Sequence, residues 1–129
     1  MPIVIVDDAL EDLVFAQRVL LGSRILNPVK PLSKGKECID LFIANARDAE
    51  PQRYIVLLDM GLPDENGLDV IRHLRTSLAG LGIVMLTASS GADKQVRAVS
   101  DGADAFLAKP IDGEILAATL HSLARRLSA

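Results

Sequence analysis

Four short apolar runs punctuate the chain, and each of them is followed at once by a polar residue. The runs cover residues 3–6, 55–58, 83–86 and 105–108, and the residues that follow them are Asp7, Asp59, Thr87 and Lys109. A bounded run of four apolar residues is typical of a strand that is buried on both faces of a sheet. This pattern constrains the fold strongly, because strands covered on both faces need helices packed on each side.

Helix-like segments separate the strand-like runs. Apolar stripes with the 3.6-residue period of a helix lie within residues 10–22, 39–46, 71–78, 91–101 and 116–127. Asp112 is the expected N-cap of the last helix. Residues 29–32 form a fifth strand-like segment, whose Pro31 cannot donate to a ladder, so this strand should lie at a sheet edge. Five strand-then-helix units in 129 residues predict one α/β domain with a doubly wound, five-stranded parallel sheet and five helices.

The candidate functional residues all fall at one edge of this predicted sheet. In a doubly wound sheet, ligands bind beyond the carboxyl ends of the strands, near the point where the strand order reverses. The first, third, fourth and fifth strands end there in Asp7 and Asp8, Asp59, Thr87 and Lys109. We therefore expect these five side chains to come together.

Three carboxylates, a hydroxyl and a lysine at such an edge suit phosphoryl chemistry. Converging carboxylates repel one another unless a cation lies between them, and Mg²⁺ prefers oxygen ligands. A lysine and a hydroxyl complement a phosphoryl group, whose transfer needs positioning and charge neutralisation. An aspartate at a strand end can itself be the nucleophile and form an acyl phosphate.

Taken singly, each of these residues also has an ordinary structural explanation. Asp7 and Asp8 could cap the helix that follows them, Asp59 could be a turn residue, and Lys109 before Pro110 could mark an element boundary. Their joint occurrence, in order and on the proper strand ends, is what favours a functional site.

Composition excludes several other classes of protein. Fourteen basic residues against seventeen acidic ones give a net charge of −3, which argues against direct nucleic-acid or membrane binding through a basic surface. The single cysteine, Cys38, excludes an internal disulfide and a cysteine-based metal cluster. Because the sequence shows neither a membrane-spanning run nor a signal peptide, we expect a soluble, cytoplasmic domain.

Four sequence motifs, taken together, resemble one known family. They are Val-Asp-Asp at 6–8, Leu-Asp-Met-Gly-Leu-Pro-Asp-Glu-Asn-Gly at 58–67, Leu-Thr-Ala at 86–88 and Phe-Leu-Ala-Lys-Pro at 106–110. The set is similar to the receiver domains of two-component response regulators, including chemotaxis regulators. The resemblance implies one receiver domain over residues 1–129 and a flavodoxin-like sheet with strand order 2-1-3-4-5.

The resemblance also implies a phosphorylation site that holds Mg²⁺. By its position in the motifs, Asp59 is the expected phosphoacceptor. Asp8 is expected to bind Mg²⁺ directly and Asp7 through water, while Asp59 and the backbone carbonyl of Gly61 complete the protein's metal ligands. The expected chemistry is Mg²⁺-dependent self-phosphorylation and autodephosphorylation, and the chain is not expected to be an enzyme that acts on a separate substrate.

A conformational switch is part of the same resemblance. Thr87 is expected to bond the phosphoryl group, Lys109 to pair with it, and Phe106 to be the aromatic residue of the switch. Pro110 is included among the switch residues, and the Lys109-Pro110 peptide bond is expected to be cis. The responding surface is expected to comprise the fourth helix (residues 91–101), the fifth strand and the fifth helix.

The resemblance implies a histidine kinase or a histidine phosphotransfer domain as the phosphodonor, and it leaves the output target open. We expect a monomer, or a weak dimer through the responding surface. A receiver excised from a hybrid sensor kinase or a transcription factor, and acting in a phosphorelay, stays open as an alternative.

Two rival activities fit the residues less well. A phosphatase similar to haloacid dehalogenases needs a second aspartate two positions after the nucleophile, where this chain has Gly61. A flavodoxin-type carrier needs a phosphate loop rich in Ser, Thr or Gly after the first strand, where this chain has Asp-Asp-Ala-Leu-Glu-Asp.

Overall fold

Among the residues that the structure describes, each of the first three strands and the last strand is followed by a helix, as the sequence predicts. The structure, a computed structural model, describes residues 2–47, 53–60, 67–77, 81–87 and 102–128. Within these ranges the elements are β1 (Ile3–Val6), α1 (Leu10–Gly22), β2 (Val29–Leu32), α2 (Gly35–Ala46), β3 (Tyr54–Asp59), α3 (Gly67–Ser77), β4 (Leu81–Thr87), β5 (Ala105–Ala108) and α4 (Gly113–Ser128). The helix predicted over residues 91–101 lies outside the described residues, so four of the five predicted helices are described.

The strands form one parallel sheet in the order β2-β1-β3-β4-β5, which is the predicted order. The proline-containing β2 lies at the sheet edge, where Pro31 is in register with Ile5 and needs no outer partner. The strand order reverses at β1, which has β2 on one side and β3 on the other. Because Val6 is in register with Leu58, the next residues, Asp7 and Asp59, lie on either side of the reversal.

Two layers of buried apolar side chains cover the two faces of the sheet. Alternation along β1 sends Val4 and Val6 to the face covered by α2 and α3, and Ile3 and Ile5 to the face covered by α1 and α4. Each described helix buries an apolar side against one of these faces, although Leu10, Val14 and Ile43 of the predicted stripes are exposed. None of the described helices is long and apolar enough to span a membrane. With both faces covered, the polar residues at the strand ends are left as the place where chemistry can occur.

Two strands extend beyond the apolar runs that predicted them. β3 begins at Tyr54 and includes Asp59, and β4 begins at Leu81 and includes Thr87. The extension is a consequence of ladder pairing: the Met60 N–H donates to the Leu86 carbonyl at 3.0 Å, and the Lys109 N–H donates to the Thr87 carbonyl at 2.8 Å. Asp59 and Thr87 are therefore held by sheet hydrogen bonds and do not lie in free loops.

The last helix begins as the sequence predicts. Asp112 Oδ1 accepts hydrogen bonds from the N–H groups of Glu114, at 2.9 Å, and Ile115, at 3.1 Å. These are two of the first donors of α4, which have no partner within the helix itself. Asp112 thus fixes the start of α4 only three residues after Lys109.

Arg75 joins α3 to the entry of β4 and β5, at the sheet edge opposite the predicted site. Its guanidinium donates to the carbonyls of Gly102, at 2.6 Å, and Leu81, at 2.5 Å, and forms an ion pair with Asp104. Asp104 in turn accepts from the Ile83 N–H at 2.7 Å. Gly102, at φ +114°, makes the approach possible, because a Cβ there would lie 2.5 Å from Arg75 Cγ. One side chain therefore clamps three segments.

Replacing Arg75 with Met should lower the free energy of unfolding by about 2–3 kcal/mol, because two backbone carbonyls and a carboxylate lose a charged donor. Urea unfolding followed by circular dichroism measures this loss. Arg72→Met is the matched control, since Arg72 pairs with Asp69 at the surface, where both side chains are 59 % exposed. Its loss should stay below about 0.5 kcal/mol. Equal losses in the two variants would contradict the clamp.

Candidate functional site

Three carboxylates meet at the point where the strand order reverses. Asp7 and Asp8 follow β1, Asp59 ends β3, and each of the three offers an oxygen atom within 4.8 Å of those of the other two. Asp7 is 2 % exposed and Asp59 is 7 % exposed, whereas Asp8 is exposed. The structure therefore brings together the three carboxylates that the sequence predicts, two of them buried and one open to solvent.

Asp7 holds the turn from β1 into α1. Its backbone N–H donates to the Leu32 carbonyl at 3.0 Å, and its Oδ1 accepts from the Ala9 N–H at 3.0 Å. The N-cap position of α1 belongs to Ala9, and no side chain caps it. Neither Asp7 nor Asp8 therefore occupies the N-cap position of α1, although Asp7 stabilises the turn that leads into the helix.

Lys109 lies among these carboxylates. Its Nζ is 2.7 Å from Asp7 Oδ2 and 3.4 Å from Asp59 Oδ1, and its side chain is only 18 % exposed. Lys109 follows β5 directly, and its backbone is held to β4 by the bond to the Thr87 carbonyl. The predicted lysine thus connects the ends of β1, β3 and β5 through one ammonium group.

Asp12 is a fourth carboxylate at this site, and it is not among the residues predicted from the sequence. Its Oδ2 lies 2.9 Å from Lys109 Nζ, and its side chain is 48 % exposed. Asp12 stands in the first turn of α1 beside Glu11. Acidic residues in a first turn are ordinarily explained by the positive end of the helix dipole, so the sequence offers no separate signal for this contact.

Burial and charge shift the pKa values of two of these groups. Burial, together with the charge of Asp59, raises the pKa of the Asp7 carboxyl above its ordinary value, although hydrogen bonds from Lys109 and Ala9 act in the opposite direction. Burial on its own would lower the pKa of Lys109, but the hydrogen bonds to Asp7 and Asp12 and the charge of Asp59 outweigh it, so this pKa is raised. Lys109 is therefore a permanent cation at neutral pH and offsets the repulsion between Asp7 and Asp59.

The carboxylate cluster has the chemistry of a site for a hard divalent cation. Asp7, Asp8 and Asp59 supply only oxygen atoms, and the exposure of Asp8 leaves one side open to water or to a phosphate oxygen. Such a donor set is what Mg²⁺ takes, since it keeps several waters and binds few carboxylates. The expected carbonyl ligand, Gly61, lies outside the described residues.

The remaining predicted residues lie on β4 and β5. Thr87, the last residue of β4, is buried, on the strand next to the one that carries Asp59. Phe106 is half-buried in β5, in register with Met85, and packs against the cluster of apolar side chains under α2 and α3. The Lys109-Pro110 peptide bond is cis, as predicted.

Comparison with known proteins identifies a family. The family model described as response regulator receiver domain matches residues 3–121. The virulence transcriptional regulatory protein PhoP of Salmonella typhimurium is 42 % identical over 74 residues, which are 57 % of this chain and 33 % of that protein. The cell cycle transcriptional regulator CtrA of Caulobacter vibrioides is 38 % identical over 72 residues, 56 % of this chain and 31 % of that protein. The matches thus span about a third of the length of these curated relatives.

A solved structure extends the likeness to nearly the whole chain. The bacteriophytochrome response regulator RtBRR is 30 % identical, with a TM-score of 0.80, over 95 % of this chain and 76 % of that one. The strand order and the carboxylate cluster thus agree with the family that these comparisons identify.

Lys109→Met should lower the free energy of unfolding by about 2–4 kcal/mol at neutral pH, because two buried carboxylates lose their cation. Added Mg²⁺ should restore more stability to the variant than to the parent, since the metal then supplies the missing positive charge. Urea unfolding with and without Mg²⁺ measures both effects. Lys30→Met, at an exposed position of β2, should change stability by less than about 0.5 kcal/mol. Unchanged stability in Lys109→Met would contradict the claim that Lys109 offsets the repulsion between Asp7 and Asp59.

Proposed function

We propose, because this chain belongs to the response regulator receiver domain family, that it accepts a phosphoryl group on Asp59 from a histidine kinase or a histidine phosphotransfer domain. One observation carries the proposal: the Asp59 carboxylate lies 3.4 Å from the ammonium of the half-buried Lys109 and beside two further carboxylates, at the sheet edge where the strand order reverses. This is where ligands bind in sheets of this kind.

The proposed reaction forms an acyl phosphate. An oxygen of the Asp59 carboxylate attacks phosphorus, the bond between phosphorus and the donor nitrogen breaks, and the imidazole leaves with the electron pair. Lys109 pairs with the transferred phosphoryl group, and Thr87 donates its hydroxyl hydrogen to it. Water later attacks the same phosphorus, the bond between phosphorus and the Asp59 oxygen breaks, and inorganic phosphate leaves Asp59 as a carboxylate. The chain thus catalyses only its own modification.

Mg²⁺ is the proposed cofactor. Asp7, Asp8 and Asp59, with the Gly61 carbonyl, would hold it, and when bound it neutralises charge on the transferring phosphoryl oxygens. Four carboxylates, with Asp12 included, and one ammonium leave the site negative, so a bound metal would let a further anion enter. Without the metal, Lys109 alone would have to offset the negative charge of both the carboxylates and the phosphoryl group.

The signal would pass from Asp59 to the surface of β5. Movement of the Thr87 hydroxyl toward the phosphoryl group would open space into which the Phe106 ring rotates. Phe106 suits this role because it is half-buried in β5 and packs against the apolar cluster under α2 and α3. Pro110, directly after Lys109, would follow the same movement.

The proposed setting is a single receiver domain over residues 1–129, working in the cytoplasm as a monomer or a weak dimer. We propose no direct contact of this domain with nucleic acid or membrane, in keeping with its net charge of −3. PhoP and CtrA are transcriptional regulators by name, so control of transcription through another part of the protein or through a partner is the favoured output. A receiver of a hybrid kinase in a phosphorelay is the second candidate.

Asp59→Asn should abolish phosphorylation, because the amide nitrogen and oxygen cannot replace a carboxylate nucleophile. Incubation with acetyl phosphate and Mg²⁺, followed by intact mass measurement, should show an acid-labile phosphoryl group on the parent and none on the variant. Asp69→Asn, an exposed carboxylate on α3, is the control and should be modified like the parent. Undiminished modification of Asp59→Asn would refute Asp59 as the phosphoacceptor. Modification of the parent in the absence of Mg²⁺ would refute Mg²⁺ as the required cofactor.

Beryllofluoride, which mimics the phosphoryl group, should shift the ring resonances of Phe106 in the NMR spectrum, and Thr87→Ala should remove this shift while the mimic still binds. The Phe42 and Tyr54 rings, which pack edge to face with centroids 5.0 Å apart, are the internal control. Tyr54 begins β3, about 16 Å along the strand from Asp59, so its resonances should stay in place. A Phe106 ring that does not respond in the parent would exclude this route.

A further inference from the structure

The ammonium of Lys109 is shared between carboxylates inside and outside the metal cluster. Asp7 and Asp59, at 2.7 and 3.4 Å, belong to the cluster, whereas Asp12, at 2.9 Å, does not. The outside partner is thus closer to Nζ than the proposed phosphoacceptor is. It is also more exposed, at 48 % against 10 % for the Asp59 side chain.

Because Asp12 shares the ammonium, less of the positive charge of Lys109 acts on the carboxylates of the metal cluster. A carboxylate 2.9 Å from the ammonium cancels part of the lysine charge that would otherwise act on Asp7 and Asp59. A cation that approaches the cluster is then repelled less by Lys109. A phosphoryl group that approaches the same lysine has to compete with Asp12 for an N–H donor.

We propose that Asp12 is a positioning residue for Lys109, and that its charge raises the affinity of the site for Mg²⁺ while lowering its affinity for the phosphoryl group. The inference rests on the proposed function, since it concerns how the same site divides its charge between the two ligands. Asp12 acts through Lys109 and touches neither ligand. Before phosphorylation, Asp12 thus determines how strongly the Lys109 ammonium is drawn away from Asp59.

The neighbouring residue Glu11 separates this role from an ordinary helix charge. Glu11 shares the first turn of α1 with Asp12, and both line a cavity of about 530 Å³ between α1 and the Lys109-Pro110-Ile111 segment. Favourable interaction with the helix dipole applies to both carboxylates alike. In the described part of the chain, however, Asp12 forms an ion pair with Lys109 and Glu11 forms none.

Titrations of Asp12→Asn should show two changes of opposite sign. Mg²⁺ should bind about two- to fivefold more weakly, and beryllofluoride at saturating Mg²⁺ about two- to fivefold more tightly, as the loss of one half-exposed ion pair implies. Isothermal calorimetry or amide NMR shifts are suitable, because the chain has no Trp for fluorescence. Asp12→Glu should return both affinities toward the parent values. Glu11→Gln, which removes the same charge from the same helix turn, should change neither.

The pair of signs makes the result decisive. If Asp12 had a merely structural role, its loss would weaken the binding of both ligands together, and that outcome would overturn the proposal. Two other results would also overturn it: unchanged affinities in Asp12→Asn, or equal changes in Glu11→Gln. The Asp59→Asn variant in the same titrations tests the proposed function separately. If it still binds beryllofluoride, the proposed function fails. If it does not, and Asp12→Asn binds both ligands like the parent, only the role of Asp12 fails.

Discussion

A single ammonium group makes the functional edge of this protein possible. Asp7 and Asp59 are buried on neighbouring strands. Burial, together with the charge of Asp59, raises the pKa of the Asp7 carboxyl and so opposes its ionised form. Lys109 reaches both carboxylates, and its hydrogen bonds to Asp7 and Asp12 keep it protonated in spite of its own burial. The folded protein can therefore hold a concentrated negative charge that is partly balanced before any metal binds.

The sheet fixes the position of the Lys109 backbone, because β5, the strand that precedes it, is held firmly in place. β5 has only four residues, yet it is fixed at both ends. At its entry, Asp104 exchanges hydrogen bonds with the backbone of Ile83 and pairs with Arg75; at its exit, the Lys109 N–H bonds to the Thr87 carbonyl. These polar contacts hold β5 in its place in the sheet at both of its ends.

Under the proposed function, the charges at this site have to suit two ligands of opposite sign. The carboxylates would hold a divalent cation, and Lys109 would pair with the phosphoryl group. Asp12 adds a carboxylate that contacts the lysine without joining the metal cluster. Its half-exposed position on α1 places the proposed adjustment of the balance between the two ligands outside the buried part of the site.

The sequence by itself determined the alternation of strands and helices, the edge position of β2 and the convergence of Asp7, Asp59 and Lys109. These follow from local periodicity, from the missing donor of Pro31 and from the rule that parallel strands end on one edge. Only the tertiary structure decided that Asp12 joins Lys109, 97 positions away, and that Arg75 clamps the entry of β5. Such contacts depend on how far side chains reach between packed elements, and an apolar pattern carries information about which face is buried but none about which polar tips meet.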